Sequence, residues 1–336
     1  MTESIPGRVI LDSLEPTVFR AMSVLAGMQL DLFTPLKDGP LSAGQIAASI
    51  GVETTKLRPL LYALAAVGLL TVDDGFFANS AEADYYLVRG RLSYGGNHHR
   101  FLSDIWSASL KIGESIRTGK PQAEHDYANM PEDQLEEFMD GMHSLEGGTW
   151  LARNYDFSSC QTVVDVGGGS GGVAIGLTQA LPHLQVTVAE LPSVAKVTRR
   201  FVERAGAAQR VQVQAVDIVR QPLRGTFDAA ILRYTLHVMS REDACQVLLN
   251  VHQALKPGGT IYIHNDPLDD SRLTPYGQVL WGPAFIAIYD QGQNFTVQEY
   301  RNLVTEAGFE DFELDAERII TARKPAHAHS GKAVIG

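Results

Sequence analysis

The sequence predicts a doubly wound α/β fold with a parallel sheet, preceded by a mostly helical region that contains a winged helix. Three observations predict this fold. From about residue 158, short apolar segments alternate with helical ones, which is typical of a parallel sheet with helices on both faces. A run of glycines follows the first apolar segment. Two short helical patterns and a hairpin pattern occupy residues 41–78.

The sheet region contains five strand patterns followed by two closing ones. The strands are expected at 162–166, 185–190, 210–215, 227–232 and 259–264, with helices at 171–181, 193–205 and 241–255. A helix is expected from Val297 to Ala307, and the closing strands near 309–315 and 317–322. Because too few residues separate the closing strands for a crossover helix, we expect them to pair antiparallel.

Apolar residues at helical spacing run through residues 1 to about 36, and few charges face them. A helix this apolar near a chain end buries itself against a second copy of the chain or against its own core. The pattern leaves both arrangements open.

The winged-helix pattern begins at Ser42, which is expected to cap a short helix that ends at Gly51. Thr54 or Thr55 is expected to cap the next helix. The hairpin that follows has its turn at Asp73-Asp74-Gly75, because Asp-Gly is a favoured hairpin dipeptide.

Winged helices often bind DNA, but the charge of this chain argues against that function. Acidic residues outnumber basic ones in residues 1–100, and the whole chain has a formal net charge of -11. A protein that binds a phosphate backbone needs a basic face. We therefore expect scaffolding or dimerisation, with no nucleic-acid partner.

The composition is that of a soluble globular protein long enough for two domains, with 336 residues of which 45% are hydrophobic. Two cysteines imply no disulfide framework. Acidic residues near the start argue against a signal peptide, and the longest near-apolar run, Val279–Tyr289, is too short to span a bilayer. We expect a cytoplasmic protein with no membrane partner.

The glycine segment reads as a buried strand, residues 162–166, that enters a turn and then a helix. Glycines leave the backbone open to a ligand and allow positive φ, and the N–H groups of the helix start add partial positive charge. Gly167, Gly169 and Gly172 match G-x-G-x-x-G, which indicates a nucleotide-like ligand but does not distinguish NAD from other nucleotides.

Three features decide between the ligands. Glu190 ends the second strand, where a carboxylate can bind ribose hydroxyls, which suits NAD equally well. Asp217 ends the third strand and can accept a hydrogen bond from an adenine amino group. The sheet closes in a hairpin where NAD enzymes have a second nucleotide-binding half. Together these features favour S-adenosylmethionine.

Four segments carry a resemblance to a known family: Asp165–Gly171, Glu190-Leu191-Pro192, Asp217-Ile218 and Leu255–Gly259. They resemble the class I S-adenosylmethionine-dependent methyltransferases, and more narrowly the small-molecule O-methyltransferases of the caffeic acid and acetylserotonin type with their bacterial natural-product relatives. The resemblance covers nearly the whole chain. It implies a Rossmann-like seven-stranded methyltransferase sheet, and an N-terminal domain that makes an intertwined homodimer.

The resemblance also implies roles for individual residues around S-adenosylmethionine. Gly167 and Gly169 would face its methionine part and Glu190 its ribose, Asp217 and Ile218 would frame its adenine, and Arg233 would lie on its other side.

His237 is the expected general base, because family alignment places it just past the fourth strand, at the carboxyl edge of the sheet where ligands bind. The chain departs from its relatives around this histidine. Asn265 and Asn294 stand where many relatives have acids that hold the histidine. An amide can orient an imidazole but cannot stabilise imidazolium as a carboxylate does. His237 is thus a weaker base, or the acceptor arrives already acidic.

The acceptor pocket is expected to be lined by aromatic and apolar residues: Phe138, Met142, Trp281, Phe285, and with them Trp106 and Tyr289. These side chains predict a flat, apolar, aromatic acceptor, although each could equally belong to the core. His264 and Asp266 have the chemistry of metal ligands, but a solvated strand end explains them as well. No metal is predicted.

The sequence therefore predicts an S-adenosylmethionine-dependent O-methyltransferase of a small, aromatic or polyketide-type secondary metabolite. Alternatives are a C-methyltransferase, a non-methylating enzyme that binds the cofactor, and, more distantly, a winged-helix regulator that senses it. The predicted divisions are a dimerisation domain (1–100), a helical connector that contributes to the substrate pocket (101–157), a catalytic domain (158–325) and a flexible tail (326–336).

Overall fold

The computed structural model describes residues 8–91 and 93–326. The chain forms two compact units, one that ends at Ser103 and one that begins at Asp104. Of the predicted tail, 326–336, only Ala326 lies among the described residues. In the described ranges, no helix combines the length and the apolar character needed to cross a membrane.

The first unit is mostly helical and contains a small sheet. Its elements are α1 (Val9–Asp12), α2 (Leu14–Gln29), a 3-10 helix (Thr34–Asp38), β1 (Leu41–Ser42), α3 (Ala43–Ile50), α4 (Thr54–Ala66), β2 (Leu70–Asp73), β3 (Phe76–Asn79), α5 (Ala81–Tyr86) and a second 3-10 helix (Gly96–His98). The strands pair antiparallel in the order β1-β3-β2. The predicted winged helix is confirmed. Helix α6 (His99–Ser109) crosses the boundary to the second unit.

Local sequence explains most element ends in this unit. The Ser42 hydroxyl accepts the Gln45 N–H in a capping box, and Gly51 ends α3 with φ of 70°. Asp74 and Gly75 both have positive φ in the β2–β3 turn, as a two-residue hairpin requires. The expected cap at Thr54 or Thr55 is wrong: α4 begins after Glu53, and no side chain caps it.

The two ends of this unit's long helix differ in environment. Met28, at the end of α2, joins the core with Leu32, Phe33, Leu61 and other apolar residues. The earlier apolar positions on α1 and α2 are exposed: Val9, Ile10, Leu11, Leu14, Phe19 and Met22. Such an exposed apolar face marks an interaction surface.

The second unit contains the large sheet. Its elements are α7 (Ile112–Thr118), α8 (Glu132–Met142), α9 (Glu146–Asn154), β4 (Thr162–Val166), α10 (Gly172–Ala180), β5 (Gln185–Glu190), α11 (Pro192–Arg204), β6 (Val211–Ala215), β7 (Phe227–Arg233), α12 (Arg241–Ala254), β8 (Leu255–His264), α13 (Tyr276–Ile288), α14 (Val297–Glu306), β9 (Glu310–Leu314) and β10 (Ile320–Arg323).

The strands follow the order β6-β5-β4-β7-β8-β10-β9. Pairs from β6 to β8 are parallel, and β10 is antiparallel to both neighbours. The predicted seven-stranded sheet with a closing hairpin is confirmed. β8 begins at Leu255, earlier than expected, and its pairing with β7 shifts register between Phe227 and Ala229.

Alternation along β4 places side chains on both faces of the sheet, and each face has its own core. Val164 faces the cluster that α12 and α14 complete, which includes Val247 and Leu303. Val163 faces the cluster that α10 completes, which includes Ile175. Each fully buried side chain of this size stabilises the fold by roughly 1.5–3 kcal/mol relative to its exposure. Because β4 to β8 run parallel, their carboxyl ends lie at one edge of the sheet.

Candidate active site

The glycine turn leaves β4 at that edge. Gly167, Gly169 and Gly171 all have positive φ, of 67°, 56° and 75°, and Gly171 precedes the first turn of α10. Thr235, which follows β7, stabilises the turn. Its hydroxyl donates to the Val166 carbonyl at 2.9 Å. A Cβ at Gly167 would lie 2.6 Å from the Thr235 methyl, so no larger residue fits. The turn is thus held in shape by its own packing.

Glu190, at the end of β5, binds the turn through its carboxylate. One oxygen accepts the Gly169 N–H at 2.9 Å, and the other accepts the Leu191 N–H at 2.8 Å. Burial raises the pKa of Glu190 to about 6, and the two N–H donors oppose that rise. The residue predicted to bind ribose therefore lies directly beside the glycines.

Asp165 is a second buried carboxylate beside Glu190. It is fully buried, and within the described chain neither of its oxygens has a hydrogen-bond partner. A Cβ at Gly168 would lie 2.5 Å from its Oδ2. Burial and the nearby Glu190 raise the pKa of Asp165 to about 7, while Arg233 lowers it. Two buried carboxylates, Asp165 and Glu190, thus lie beside the turn.

The remaining cofactor candidates lie less directly on the turn. Asp217 follows β6 by two residues and does not end the strand; its carboxylate binds the Arg220 guanidinium at 2.6 Å and the Val219 N–H at 3.1 Å. Ile218 is buried beside it. Arg233 ends β7, with its guanidinium carbon 4.8 Å from the centre of the Tyr234 ring.

Helices α8 and α9 cover the turn through contacts that sequence reasoning missed. The Met139 sulfur would lie 3.2 Å from a Cβ at Gly169, so Met139 covers that glycine. Met142, the methionine predicted for the pocket, is 42% exposed. His143 Nδ1 lies 2.9 Å from the Ser170 hydroxyl. Spacing by three residues on one helix was the available signal for Met139.

Small residues let α9 approach the helix that follows the turn. A Cβ at Gly148 would lie 2.1 Å from the Val173 carbonyl oxygen, and one at Gly172 would lie 2.4 Å from the Ser144 carbonyl oxygen. Real Cβ atoms do not approach backbone oxygens so closely. The glycines on both helices therefore fix the position of the α10 start beneath the turn.

His237 follows β7 in a 3-10 turn, Leu236–Val238, at the same sheet edge. Its ring centre lies 4.9 Å from that of Phe285 and 5.7 Å from that of Tyr234, which stacks on it at 24°. Its carbonyl accepts the Gln293 N–H at 2.9 Å. Burial lowers the pKa of His237 to about 4, so the imidazole is neutral at pH 7. A neutral imidazole can accept a proton.

Among the described residues, the two asparagines predicted to hold His237 make other contacts. Asn265 is buried beside the Tyr300 hydroxyl. Asn294 donates to the Gln278 carbonyl at 2.7 Å, which ties it to α13. The physical reason is position: β8 turns the Asn265 side chain into the core, and the α13 backbone engages the Asn294 amide.

Asp266 is a carboxylate close to Tyr234, the residue that stacks on His237. Its Oδ2 accepts the Tyr234 hydroxyl at 2.9 Å and the Gln278 amide at 3.0 Å, and its Oδ1 lies 3.7 Å from His264 Nε2. Tyr234 and Asp266 both have positive φ, 54° and 44°, a strained conformation for residues with a side chain. Asp266 is linked to His237 through the stacked Tyr234. In the described residues, no three His, Cys, Asp or Glu side chains form a metal-binding group.

Rings extend from His237 along α13 and across to α8. Phe285 lies 6.2 Å from Trp281 and 5.7 Å from Tyr289. Tyr289 lies 6.3 Å from Tyr127, whose ring lies 5.7 Å from Phe138. The predicted pocket residues Phe138, Trp281 and Phe285 are thus connected, through two tyrosines.

Two clefts open at different places on the second unit. One, of about 310 Å³, is lined by Ile116, Pro121, Ile286 and Tyr289. The other, of about 1160 Å³, lies at the opposite end of the sheet, beside Cys160, Asp228 and Lys256. Only the first shares a residue, Tyr289, with the aromatic series.

Comparison with known proteins agrees with this geometry. A family model for the O-methyltransferase domain matches residues 117–310, and one for the O-methyltransferase dimerisation domain matches residues 17–89. The chain is 30% identical to 3-hydroxy-5-methyl-1-naphthoate 3-O-methyltransferase of Streptomyces sahachiroi over 89% of this chain and 88% of that protein. It is 28% identical to tetracenomycin polyketide synthesis 8-O-methyl transferase TcmO of Streptomyces glaucescens, over 95% and 97%.

The fold agrees as well. The crystal structure of human N-acetylserotonin methyltransferase in complex with SAM superposes with a TM-score of 0.82 at 21% identity, and covers 97% of this chain and 99% of that chain. Fold and site together define an S-adenosylmethionine-dependent methyltransferase. Because the first family model covers more than half of the sequence, the chain belongs to the O-methyltransferase family.

Proposed function

We propose that the protein transfers the methyl group of S-adenosylmethionine to a hydroxyl of a small aromatic acceptor, of the polyketide-type secondary metabolites. One observation carries the proposal: the neutral imidazole of His237 lies at the sheet edge that bears the glycine turn, and it packs against the pocket aromatic Phe285. The two relatives named above both act, by their names, on hydroxyl groups of natural products.

The residues of the turn fit the cofactor. Gly167 and Gly169 offer open backbone beside the methionine part, and the buried Glu190 carboxylate is fitted to bind ribose hydroxyls. Asp217 and Ile218 frame the adenine, and Arg233 lies on the side of Asp165. The unpartnered oxygens of Asp165 favour a ligand that brings positive charge or hydrogen-bond donors.

When bound, S-adenosylmethionine supplies a methyl group on a positively charged sulfur, which is a good leaving group. Acceleration then depends on orientation of the acceptor and on removal of its proton. Phe138, Met142, Trp281 and Phe285 hold the acceptor ring, and His237 accepts the hydroxyl proton as the oxygen–carbon bond forms.

The environment of His237 restricts the acceptor. With a pKa of about 4 and no carboxylate on its ring, the imidazole is a weak base. Proton transfer to a weak base is effective only when the donor is itself acidic. The proposal therefore favours phenols activated by a conjugated carbonyl or carboxylate over simple alcohols.

We propose that the protein is a homodimer. The exposed apolar residues of α1 and α2, with Val9, Leu14 and Phe19 among them, provide the surface, and the dimerisation-domain match covers most of α2. Burial of these side chains against a second copy would be favourable.

Incubation with methyl-labelled S-adenosylmethionine and a panel of phenols, hydroxynaphthoates and aliphatic alcohols tests the function. We expect label on the oxygen of acidic phenols and none on aliphatic alcohols. Tight cofactor binding without label on any acceptor would overturn the proposal and favour a non-methylating reaction. Label on carbon would favour C-methylation.

A further inference from the structure

His125 lies in the segment between α7 and α8. The structure fixes this segment against α13: the Ala123 N–H donates to the Ala287 carbonyl and the His125 N–H donates to the Ile288 carbonyl, both at 2.9 Å. The His125 side chain is 5% exposed. A histidine so placed is held by backbone on one side and by side chains on the other.

Aromatic rings surround His125. Its ring centre lies 5.1 Å from Phe138, 5.9 Å from Tyr127 and 6.0 Å from Tyr289. The two tyrosine hydroxyls lie 2.8 Å apart, where one donates to the other. His125 is thus a polar group among the residues that connect Phe138 to the His237 end of the pocket.

The two nitrogens of His125 differ. Nε2 lies 2.9 Å from the Asp104 carboxylate, whose negative charge favours a proton on this nitrogen. Nδ1 is buried, and among the described residues it has no hydrogen-bond partner. When the single proton of an imidazole is on Nε2, Nδ1 is a hydrogen-bond acceptor. An unmade hydrogen bond at a buried acceptor destabilises the protein, and a ligand that donates to that acceptor recovers the loss.

From these contacts we propose that Asp104 and His125 form a second polar anchor for the acceptor, distinct from His237 and joined to the proposed acceptor residues through Phe138 and Tyr289. Nδ1 of His125 accepts a hydrogen bond from a second hydroxyl of the acceptor, away from the one that is methylated. Asp104 is a positioning residue that fixes the tautomer. The inference rests on the proposed function for the identity of the ligand as an aromatic acceptor. It assigns the substrate class as polyhydroxylated aromatics.

The test measures binding, so it does not depend on methyl transfer. Naphthol and the isomeric dihydroxynaphthalenes are titrated into the protein saturated with S-adenosylhomocysteine. We expect at least one diol to bind the wild-type protein tenfold or more tightly than naphthol, beyond the statistical factor of about two for two equivalent hydroxyls. Equal binding of naphthol and every diol, or no binding of any of them, would overturn the inference.

Variants separate a hydrogen bond from simple packing. His125→Phe keeps a ring of similar size, so we expect it to bind naphthol as the wild type does and to lose the preference for the diol. His125→Asn keeps an amide near the position of Nδ1 and should retain part of the preference. Asp104→Asn releases the tautomer and should reduce the preference. A preference that survives in His125→Phe would contradict the assignment.

Failure of this inference is distinguishable from failure of the proposed function. Label transfer without a preference for diols would remove the role of His125 and leave the O-methyltransferase intact. A preference for diols without label transfer would leave the anchor and remove the reaction. S-adenosylhomocysteine affinity, measured for each variant, reports whether the variant has folded.

Discussion

The turn at Gly169 and the surroundings of His237 form two regions of one site, and they are assembled over different distances along the chain. The Gly169 N–H binds a carboxylate 21 residues away, in the next strand. On the acceptor side, the hydrogen bond between Tyr127 and Tyr289 joins residues 162 positions apart. The cofactor region is therefore encoded almost locally, whereas the acceptor region depends on how distant helices pack.

This difference indicates where substitutions can change the acceptor without loss of cofactor binding. A local turn keeps its shape as long as its glycines and one carboxylate remain. A pocket built from α8, α13 and the segment before α8 changes with any side chain on those elements. We expect substitutions in the two regions to separate cofactor binding from turnover, and the predictions below test that separation.

Substitution of His237 by Ala should give the largest effect, because it removes the proton acceptor and leaves the turn untouched. General base catalysis contributes typically about 10²–10⁴-fold, so kcat should fall by that factor. Affinity for S-adenosylhomocysteine, measured by calorimetry, should stay within about twofold of wild type.

The matched control is His183→Ala, because His183 precedes β5, at the end of that strand away from Glu190, and its imidazole contacts the Phe157 carbonyl at 3.2 Å. It should leave kcat unchanged. Unchanged turnover in His237→Ala would remove this residue from the mechanism. A parallel loss of cofactor affinity would show that the two regions are not separable.

Glu190→Gln should give the converse result. The amide cannot accept both the Gly169 and Leu191 N–H groups, and it binds ribose hydroxyls less strongly than a carboxylate. We expect cofactor affinity to fall roughly 10–100-fold, which corresponds to about 1.4–2.8 kcal/mol. Glu203→Gln, an exposed acid on α11, is the control and should not change affinity. Equal affinities for wild type and Glu190→Gln would contradict the assignment of this carboxylate.

The sequence predicted the features that depend on neighbouring residues. It did not predict contacts between residues far apart in the chain. The strands β4 to β10, the glycine turn and Glu190 follow from apolar alternation and glycine spacing. Met139 was not predicted to cover Gly169, because its contact with the turn depends on how α8 packs against a segment about 30 residues away in the chain. Asp266 was considered only as a metal ligand, and its hydrogen bond with Tyr234 was not predicted; both residues have positive φ, which no sequence pattern indicates.

Gly148→Ala tests how the cofactor region depends on α9. The new Cβ would meet the Val173 carbonyl oxygen at 2.1 Å, so the two helices must separate. Overpacking of this kind costs roughly 1–3 kcal/mol, and the melting temperature should fall by several degrees. Gly113→Ala, on α7, has open space around the new methyl and should be neutral or slightly stabilising. Melting temperatures that match for the two variants would mean that the α9–α10 contact relaxes without cost.

Asp165→Asn should have the smallest effect, and its sign is set by pH. The pKa of Asp165 in the folded protein is raised to about 7, so protonation stabilises the fold, and that contribution is lost as pH rises from the ordinary carboxyl range through about 7. Asn cannot ionise, so the variant lacks this loss. Without cofactor, its melting temperature should fall less between pH 5.5 and pH 8 than that of wild type, by a few degrees. Some slope remains because the pKa of Glu190 is raised too, to about 6.

Asp156→Asn is the control, because the pKa of Asp156 is shifted in the direction opposite to that of Asp165. Its carboxylate is exposed, and hydrogen bonds from Ser158 lower its pKa, so its charge state is the same at both pH values. This variant should keep the wild-type slope. If wild type and Asp165→Asn lost stability equally over that range, ionisation of the buried carboxylate would not limit the stability of the turn.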